Sequence, residues 1–298
     1  MTKRHASVKS ILLIVAVLAV VLSNLAWGYI YFREKNNLRH SLIPLTSGDY
    51  FQERLSLLNS FSDFEKEKYE SNLNSINEYY PSIKTNVPFI SQLPNYPNGC
   101  EATSAVMLLK YYGIDISLDE FVLKYLKKDN IYSKDGERFG PDPKTTYAGN
   151  PASLTGGFGI FALGIRDAME KALAEKVDNS NTERLCVFGN DDTSYPLEYY
   201  KLSFPIVIWA TTNYESAKEM WTWKSIDGTH SYTYPKNSHT IVVTGFDENY
   251  YYVNDPLQSS GNTKIEKEKL EKSFDSLGRQ VVGIMKYDVC EYDEVEKW

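Results

Sequence analysis

Cysteine and histidine are scarce in this chain of 298 residues, which contains three cysteines and four histidines. Three cysteines do not make a multi-disulfide framework. No C-x-x-C motif, H-E-x-x-H motif or carboxylate–histidine cluster predicts a metal site. A G-x-x-x-x-G-K-[ST] phosphate loop is also missing, and no convincing strand precedes the G-x-G in "GGFGIFALG" at residues 156–164. We therefore expect no metal and no cofactor, and we read the glycine-rich run as a tight turn near a cleft.

Basic charge is also in short supply. The formal net charge is -7, and the chain after residue 31 carries 29 basic against 39 acidic residues. Nucleic-acid binding requires a basic surface to neutralise phosphates. The composition therefore argues against a nucleic-acid partner.

Long apolar runs are missing except at residues 11–31, which form 21 consecutive uncharged positions. As a helix this run would span about 31 Å, enough to cross the hydrocarbon core of a membrane. A cleaved signal peptide is the alternative, but its apolar region would be shorter and "SNLAWG" is a poor cleavage site. We expect an uncleaved transmembrane anchor.

Three basic residues lie on each side of this run: Lys3, Arg4 and Lys9 before it, and Arg33, Lys35 and Arg39 after it. The count alone does not orient the helix. The short N-terminal tail is purely basic, and first helices of this kind usually leave the N-terminus inside. The prediction is a single-pass protein of the cell membrane with a cytoplasmic tail at residues 1–10 and an extracytoplasmic domain.

The remainder of the chain has two parts that differ in composition and in hydrophobic pattern. Residues 32–85 are polar with apolar positions at helical spacing, which predicts a helical stalk or, as the alternative, an inhibitory helical segment. Residues 86–298 contain helical patterns at 101–112, 118–127 and 160–175, and five short β-rich runs. Those runs are "VPFIS", "FPIVIWATT", "HTIVVTGF", "YYYVND" and "QVVGIMKY". Helices followed by strands indicate an α+β domain.

Cys100 stands where a loop turns into a helix, directly after Gly99. The unpaired N–H groups and the dipole at a helix N-terminus favour a thiolate, the reactive form of cysteine. Gly99 allows a close approach of the chain because it has no Cβ. On position alone, a nucleophile and a buried structural cysteine are both compatible with this site.

A nucleophilic cysteine requires a base, which is usually histidine. The two histidines that flank the apolar run are poor candidates, and His230 lies in a polar loop. His239 opens a strand and can point from the sheet end into a cleft. A hairpin turn at residues 247–249 would bring Asp255 to the same edge, where its carboxylate could orient the imidazole. The alternatives are a capped strand end for His239 and a turn-forming Asp-Pro for Asp255.

The motifs "VPFISQLPNYPNGCEATSAVMLLKYYG", "GIFA", "PIVIW" and "HTIVVTGFDENYYYVNDPL" follow one another in this order. The pattern resembles the papain-like cysteine peptidases related to the bacteriocin-leader (double-glycine) peptidases, from about residue 87 to residue 287. The resemblance implies a papain-like α+β fold in which N-terminal helices pack on an antiparallel sheet. It further implies that Cys100 is the nucleophile, His239 the base and Asp255 its orienting carboxylate. Gln92 would then donate a hydrogen bond to the oxyanion.

The expected protein is thus a membrane-anchored, extracytoplasmic cysteine peptidase that acts on a peptide or protein substrate. The chain has no transporter bundle or ATPase, so the resemblance does not imply bacteriocin export. A catalytically silent peptide-binding domain and an acyl transferase with the same triad stay open as alternatives. Cys186 and Cys290 are expected as separate packed thiols, or as a disulfide if the domain lies outside the cytoplasm.

Overall fold

The computed structural model describes residues 82–177, 183–190, 197–198, 200 and 205–288. The predicted cytoplasmic tail, the apolar run at 11–31 and nearly all of the predicted stalk lie outside these residues, as does Cys290. Within the described ranges, no helix combines the length and the apolar character that crossing a bilayer demands.

Helices occur at four places in the described chain. They are α1 (Cys100–Tyr111), α2 (Leu118–Glu120, continued by a π-helical turn at Phe121–Tyr125), α3 (Ala162–Lys176) and α4 (Lys267–Ser276). The first three coincide closely with the helical patterns of the sequence. Helix α4 was not predicted, because its sequence "KEKLEKSFDS" is almost entirely polar. Leu270 and Phe274, one turn apart, are nevertheless fully buried and attach α4 to the sheet.

The main sheet contains seven of the described strands, all paired antiparallel. Its order is β13–β12–β11–β8–β14–β7, and β1 pairs with β11 beside this path. The strands are β1 (Ile83–Lys84), β7 (Glu183–Asn190), β8 (Ile206–Thr211), β11 (Ser238–Phe246), β12 (Tyr250–Asn254), β13 (Thr263–Glu266) and β14 (Val281–Asp288). Strand β1 falls at the end of the segment predicted as a stalk.

Two smaller sheets extend the domain, and the sequence patterns did not predict them. One has the order β10–β9–β4–β3 and the other β2–β5–β6. Their strands are β2 (Lys128–Asp129), β3 (Tyr132–Lys134), β4 (Glu137–Phe139), β5 (Tyr147–Gly149), β6 (Gly157–Gly159), β9 (Met220–Lys224) and β10 (Ser231–Pro235). Most have only two or three residues, too few for an alternating pattern to be recognised.

The core lies on both faces of the main sheet. Val207 and Trp209 of β8 pack with residues of α1 and α3, whereas Ile206 and Ile208 pack with residues of α4. Side chains of successive strand residues point to opposite faces, so a strand covered on both sides reads as a continuous apolar run. The α+β architecture expected from the sequence is therefore observed, with α4 as an additional layer.

The predicted hairpin is present. Strands β11 and β12 are antiparallel, with Val242 opposite Asn254 and Phe246 opposite Tyr251. The start of β11 and the end of β12 consequently lie at the same end of the sheet. The prediction of a strand at "VPFIS" is wrong, because residues 87–91 pair with no strand. This segment runs past the end of β12, where the Asn254 side chain donates to the carbonyl of Val87 (3.0 Å).

Candidate active site

Cys100 is the first residue of α1. Its backbone N–H has no hydrogen-bond partner among the described residues, as is usual in the first turn of a helix. One turn further on, Ser104 Oγ donates to the carbonyl oxygen of Thr240 in β11 (3.0 Å). This bond fixes the N-terminal half of α1 against β11, the strand that also carries His239.

The turn before Cys100 is closely packed. A Cβ on Gly99 would lie 2.7 Å from the Cβ of Tyr96, so only glycine fits without a shift of the chain. The Tyr147 hydroxyl donates to the carbonyl of Asn98 (2.6 Å), and the Asn98 side chain donates to the carbonyl of Ser153 (2.5 Å). The loop at 150–157 therefore holds the residues that present the thiol.

His239 and Asp255 are in direct contact. The distance from His239 Nε2 to Asp255 Oδ1 is 2.6 Å, and each residue is 1 % exposed. His239 Nδ1 makes no hydrogen bond to the described residues. Burial opposes ionisation of Asp255, but the hydrogen bond and charge of His239, with further donors, lower its pKa to about 2. The arrangement is that of an ionised carboxylate that orients an imidazole through one ring nitrogen.

Tyr214 completes the surroundings of this carboxylate, and the sequence did not single it out. Its hydroxyl donates to Asp255 Oδ2 (2.8 Å), while the N–H of Leu257 donates to Oδ1 (2.9 Å). Tyr214 has a positive φ of 57°, which is rare for a bulky residue. Burial, the charge of Asp255 and the bond to it raise the pKa of Tyr214, so the hydroxyl stays a donor.

The thiol of Cys100 is buried and its pKa is raised well above the usual value. Burial is the largest cause, followed by the negative charge of Glu101 and the hydrogen bond to it. The backbone and hydroxyl of Thr240 act in the opposite direction. From the helix N-terminus alone we expected a lowered pKa. The neighbouring carboxylate and the loss of water outweigh the helix dipole here.

Glu101 is the second residue of the site that the sequence did not single out. It is 2 % exposed, and its Oε2 accepts a hydrogen bond from Cys100 Sγ (3.3 Å). Its Oε1 accepts from the N–H of Ile160 (3.2 Å) and from the hydroxyl of Tyr234 (3.0 Å). A glutamate in the first turn of a helix ordinarily reads as a solvated N-terminal acid, and nothing local in the sequence indicates its burial.

Gln92 lies in the loop before α1 and is buried. Its Nε2 donates to the carbonyls of Pro97 (2.8 Å) and Tyr96 (3.2 Å), so both amide hydrogens are engaged by the loop. Its Oε1 is buried without a partner among the described residues. Donation to an oxyanion would require one of these bonds to be exchanged, and that role stays a prediction.

Groups of three or more metal-ligating side chains are missing from the described part of the chain. Cys186 lies in β7 opposite Met285. Cys290, its partner in the disulfide alternative, is outside the described residues, so neither separate thiols nor a pairing is tested.

A model of the "Peptidase_C39 like family" matches residues 84–282. The chain belongs to this family. A curated relative, the uncharacterized protein YvpB of Bacillus subtilis (strain 168), is 28% identical over 193 residues, covering 65% of this chain and 71% of the relative. The family that the sequence motifs indicated is therefore confirmed.

A solved structure gives the same result for the fold. A C39-like peptidase from Bacillus anthracis matches with 27% identity and a TM-score of 0.57, covering 70% of this chain and 98% of that one. A double glycine motif protease from an AMS/PCAT transporter, solved with its leader peptide, matches with 20% identity and a TM-score of 0.38, covering 68% and 93%. The first of these supports a C39-peptidase-like α+β fold.

Proposed function

We propose that this protein is a cysteine peptidase whose catalytic triad is Cys100, His239 and Asp255. One observation carries the proposal: His239 and Asp255 form a buried 2.6 Å contact at one end of the main sheet. The helix that begins with Cys100 is fixed against the same strand, β11. This arrangement occurs in a chain of a peptidase family.

In the proposed reaction, His239 Nδ1 takes the proton of the Cys100 thiol while the sulfur attacks the carbonyl carbon of the substrate peptide. Asp255 holds the imidazole by its other nitrogen and stabilises the imidazolium. The imidazolium then donates its proton to the leaving amine, and an acyl-enzyme remains. Water attacks this acyl-enzyme with His239 as base, which releases the acid and regenerates the thiol.

The developing oxyanion requires donors that no other group engages. The backbone N–H of Cys100 meets this condition. Gln92 would become the second donor if substrate binding exchanged its bond to a loop carbonyl. Removing one such donor in other acyl-transfer enzymes lowers kcat by about 10²–10³.

The proposal includes the location. The uncharged run at 11–31 and the basic tail before it support a single-pass anchor with the domain outside the cell. The substrate is then a peptide or protein at the outer face of the membrane.

Peptide hydrolysis by the purified full-length protein tests the function. A mixture of synthetic peptides is incubated with the unmodified protein, and new N-termini are identified by mass spectrometry. We expect cleavage by the unmodified protein and a loss of at least about 10³-fold in Cys100→Ala and His239→Ala. Cys186→Ala and His230→Ala are matched controls, because Cys186 lies in β7 and His230 is exposed.

Cleavage that persists in Cys100→Ala would refute the peptidase. A silent peptide-binding domain would bind peptides of the mixture and cleave none of them.

A further inference from the structure

The carboxylate of Glu101 is the buried charged group closest in the chain to the nucleophile, and the proposed mechanism does not use it. Three donors converge on its two oxygens: the thiol of Cys100, the N–H of Ile160 and the hydroxyl of Tyr234. A protonated carboxyl group would require an acceptor for its own hydrogen. Burial raises the pKa of Glu101, and the hydrogen bonds that it accepts from its own N–H, Ile160, Cys100 and Tyr234 act in the opposite direction. These converging donors are the feature that favours the ionised form.

The surroundings of Glu101 are built for this contact. Gly159 has a φ of +141°, and a Cβ there would lie 2.2 Å from the Tyr234 hydroxyl. Only a glycine at this position lets Tyr234 reach the carboxylate. The Trp209 side chain donates to the carbonyl of Ile160 (2.9 Å) and holds the segment that donates to Glu101. The carboxylate thus connects helix α1 to the loop after β6.

We propose that Glu101 is a positioning residue that keeps Cys100 in the neutral thiol form until a substrate is bound. The inference rests on the proposed function, because it concerns the nucleophile of that reaction. An anion in contact with the sulfur makes a second negative charge there costly, and burial removes the water that would screen the two charges. The resting enzyme then holds a thiol hydrogen-bonded to Glu101, in place of a preformed thiolate–imidazolium pair.

In the reaction the thiol group of Cys100 rotates, so that its S–H donates to His239 and no longer to Glu101. The thiol proton passes to His239 Nδ1 as the bond between sulfur and the carbonyl carbon forms, and the carbonyl π electrons move to the oxygen. Glu101 receives no proton in this step. A neutral thiol is also a poor target for oxidants, because oxidation follows thiolate character. That property suits a peptidase outside the cytoplasm.

Other titratable groups near the sulfur do not account for this state. Tyr147 on β5 and Tyr234 on β10 both have pKa values raised by burial and by the charge of Glu101, so they stay neutral. His239 on β11 and Asp255, which directly follows β12, are kept in every variant below.

Glu101→Gln tests the inference with little steric change. The glutamine can keep its Oε1 toward Ile160 and Tyr234 and turn its amide nitrogen toward the sulfur, which changes an acceptor into a donor. Ionisation of Cys100 is measured in the full-length protein by iodoacetamide labelling from pH 5 to pH 10, with the Cys100 peptide quantified by mass spectrometry. We expect the midpoint of Glu101→Gln to lie at least about one pH unit lower than that of the unmodified protein. More of the thiol is then ionised at pH 7, but a less basic thiolate is also a weaker nucleophile. We therefore expect labelling at pH 7 to rise about 3-fold or more.

Glu271→Gln is the matched control. Glu271 is a half-buried glutamate on α4 that, like Glu101, accepts a hydrogen bond from a tyrosine hydroxyl, here Tyr251 (2.7 Å). Its substitution should leave the Cys100 profile unchanged. Glu101→Asp keeps the charge but withdraws it by one methylene, so its midpoint should fall between those of the unmodified protein and Glu101→Gln.

Identical labelling profiles for the unmodified protein and folded Glu101→Gln would overturn the inference, and so would an unmodified thiol with a midpoint below about pH 7. If Glu101→Gln does not fold, the labelling midpoint of Cys100 in the unmodified protein decides instead. A midpoint below about 8.5, the value for the unfolded chain, overturns the inference, and a higher midpoint supports it. A purely structural Glu101 would alter the melting temperature and not this midpoint. Failure of the proposed function is separate, because it appears as peptide cleavage by Cys100→Ala.

Discussion

Asp255 accepts hydrogen bonds from His239, Tyr214 and the backbone of Leu257. Because its pKa is lowered to about 2 in the folded protein, against about 3.9 in the unfolded chain, the ionised carboxylate stabilises the fold. That contribution is present above about pH 4 and is lost as the pH falls toward 2. Its size is about 2–3 kcal/mol.

Unfolding free energies measured between pH 2 and pH 6 test this contribution. The difference between the unmodified protein and Asp255→Asn should be largest near pH 6 and should shrink by about 2 kcal/mol as the pH falls to 2. Asp115→Asn, at an exposed aspartate, serves as the control and should give a curve parallel to the unmodified one. A parallel curve for Asp255→Asn would contradict the assignment.

Tyr214→Phe removes the donor to Asp255 Oδ2 and leaves the ring in place. The carboxylate then loses one of the bonds that lower its pKa, so its acid-dependent loss of stability should be smaller and should be complete at a higher pH. We expect about 1–2 kcal/mol lower stability at pH 7 and about 10-fold lower kcat, with KM nearly unchanged. Tyr252→Phe removes a similar bond, from Tyr252 to Asp247 (2.7 Å). It is the control for kcat, which should not change; it is not a control for the acid limb, because this bond lowers the pKa of Asp247.

The sequence was informative for His239 and Asp255 because a strand, a three-residue turn and a second strand determine where both side chains end. Tyr214 and Glu101 were missed for a physical reason. Tyr214 contacts Asp255 across 41 positions from a loop, and Glu101 contacts Tyr234 across 133. Contacts of that range leave no local pattern. The raised pKa of Cys100 was missed with them, since it depends on Glu101 and on burial.

Helix α1 shows what its two terminal glycines each require. Gly99 precedes the helix and has no room for a Cβ, whereas Gly113 follows it with a φ of +82° and open space around it. Gly99→Ala must therefore move Tyr96 or Cys100, and Gly113→Ala only strains the backbone.

Peptide cleavage and thermal unfolding of both variants separate these effects. We expect Gly113→Ala to cost about 1 kcal/mol of stability and to leave cleavage unchanged. Gly99→Ala should cost about 1–3 kcal/mol and lower kcat at least 10-fold, because the thiol is displaced. Normal cleavage by Gly99→Ala would show that the turn tolerates the shift.

Elements with strong periodicity were predictable, and elements defined by their partners were not. Helices α1 and α3 and the β11–β12 hairpin have clear apolar patterns and turn signals. Helix α4 is anchored by two buried apolar side chains. The segment at 87–91 resembles a strand by composition but meets the sheet through a side-chain bond from Asn254. β-propensity describes how well a residue fits a pleated surface. Residues 87–91 pair with no strand, so their β-propensity does not make them part of the sheet.

The molecule as a whole combines a C39-like domain with an N-terminal region of different chemistry. The domain accounts for residues 84–282 by family match, and the apolar run at 11–31 precedes it. A peptidase on such an anchor would meet substrates in the layer next to the bilayer. The orientation of the chain in the membrane then decides which peptides are accessible to the active site.

Protease treatment of intact cells tests that orientation. Moving the basic tail across the membrane is unfavourable, so the N-terminus should stay inside and the chain after residue 31 should be digested from outside. The protein should also stay with the membranes at alkaline pH, because a span of about 31 Å is held by its apolar side chains. Reversing the charges of Lys3, Arg4 and Lys9 should increase the fraction protected from the protease.

Complete protection of the unmodified chain in intact cells, with digestion only after lysis, would place the domain inside. Release of a soluble domain with a new N-terminus near residue 31 would instead indicate a cleaved signal peptide.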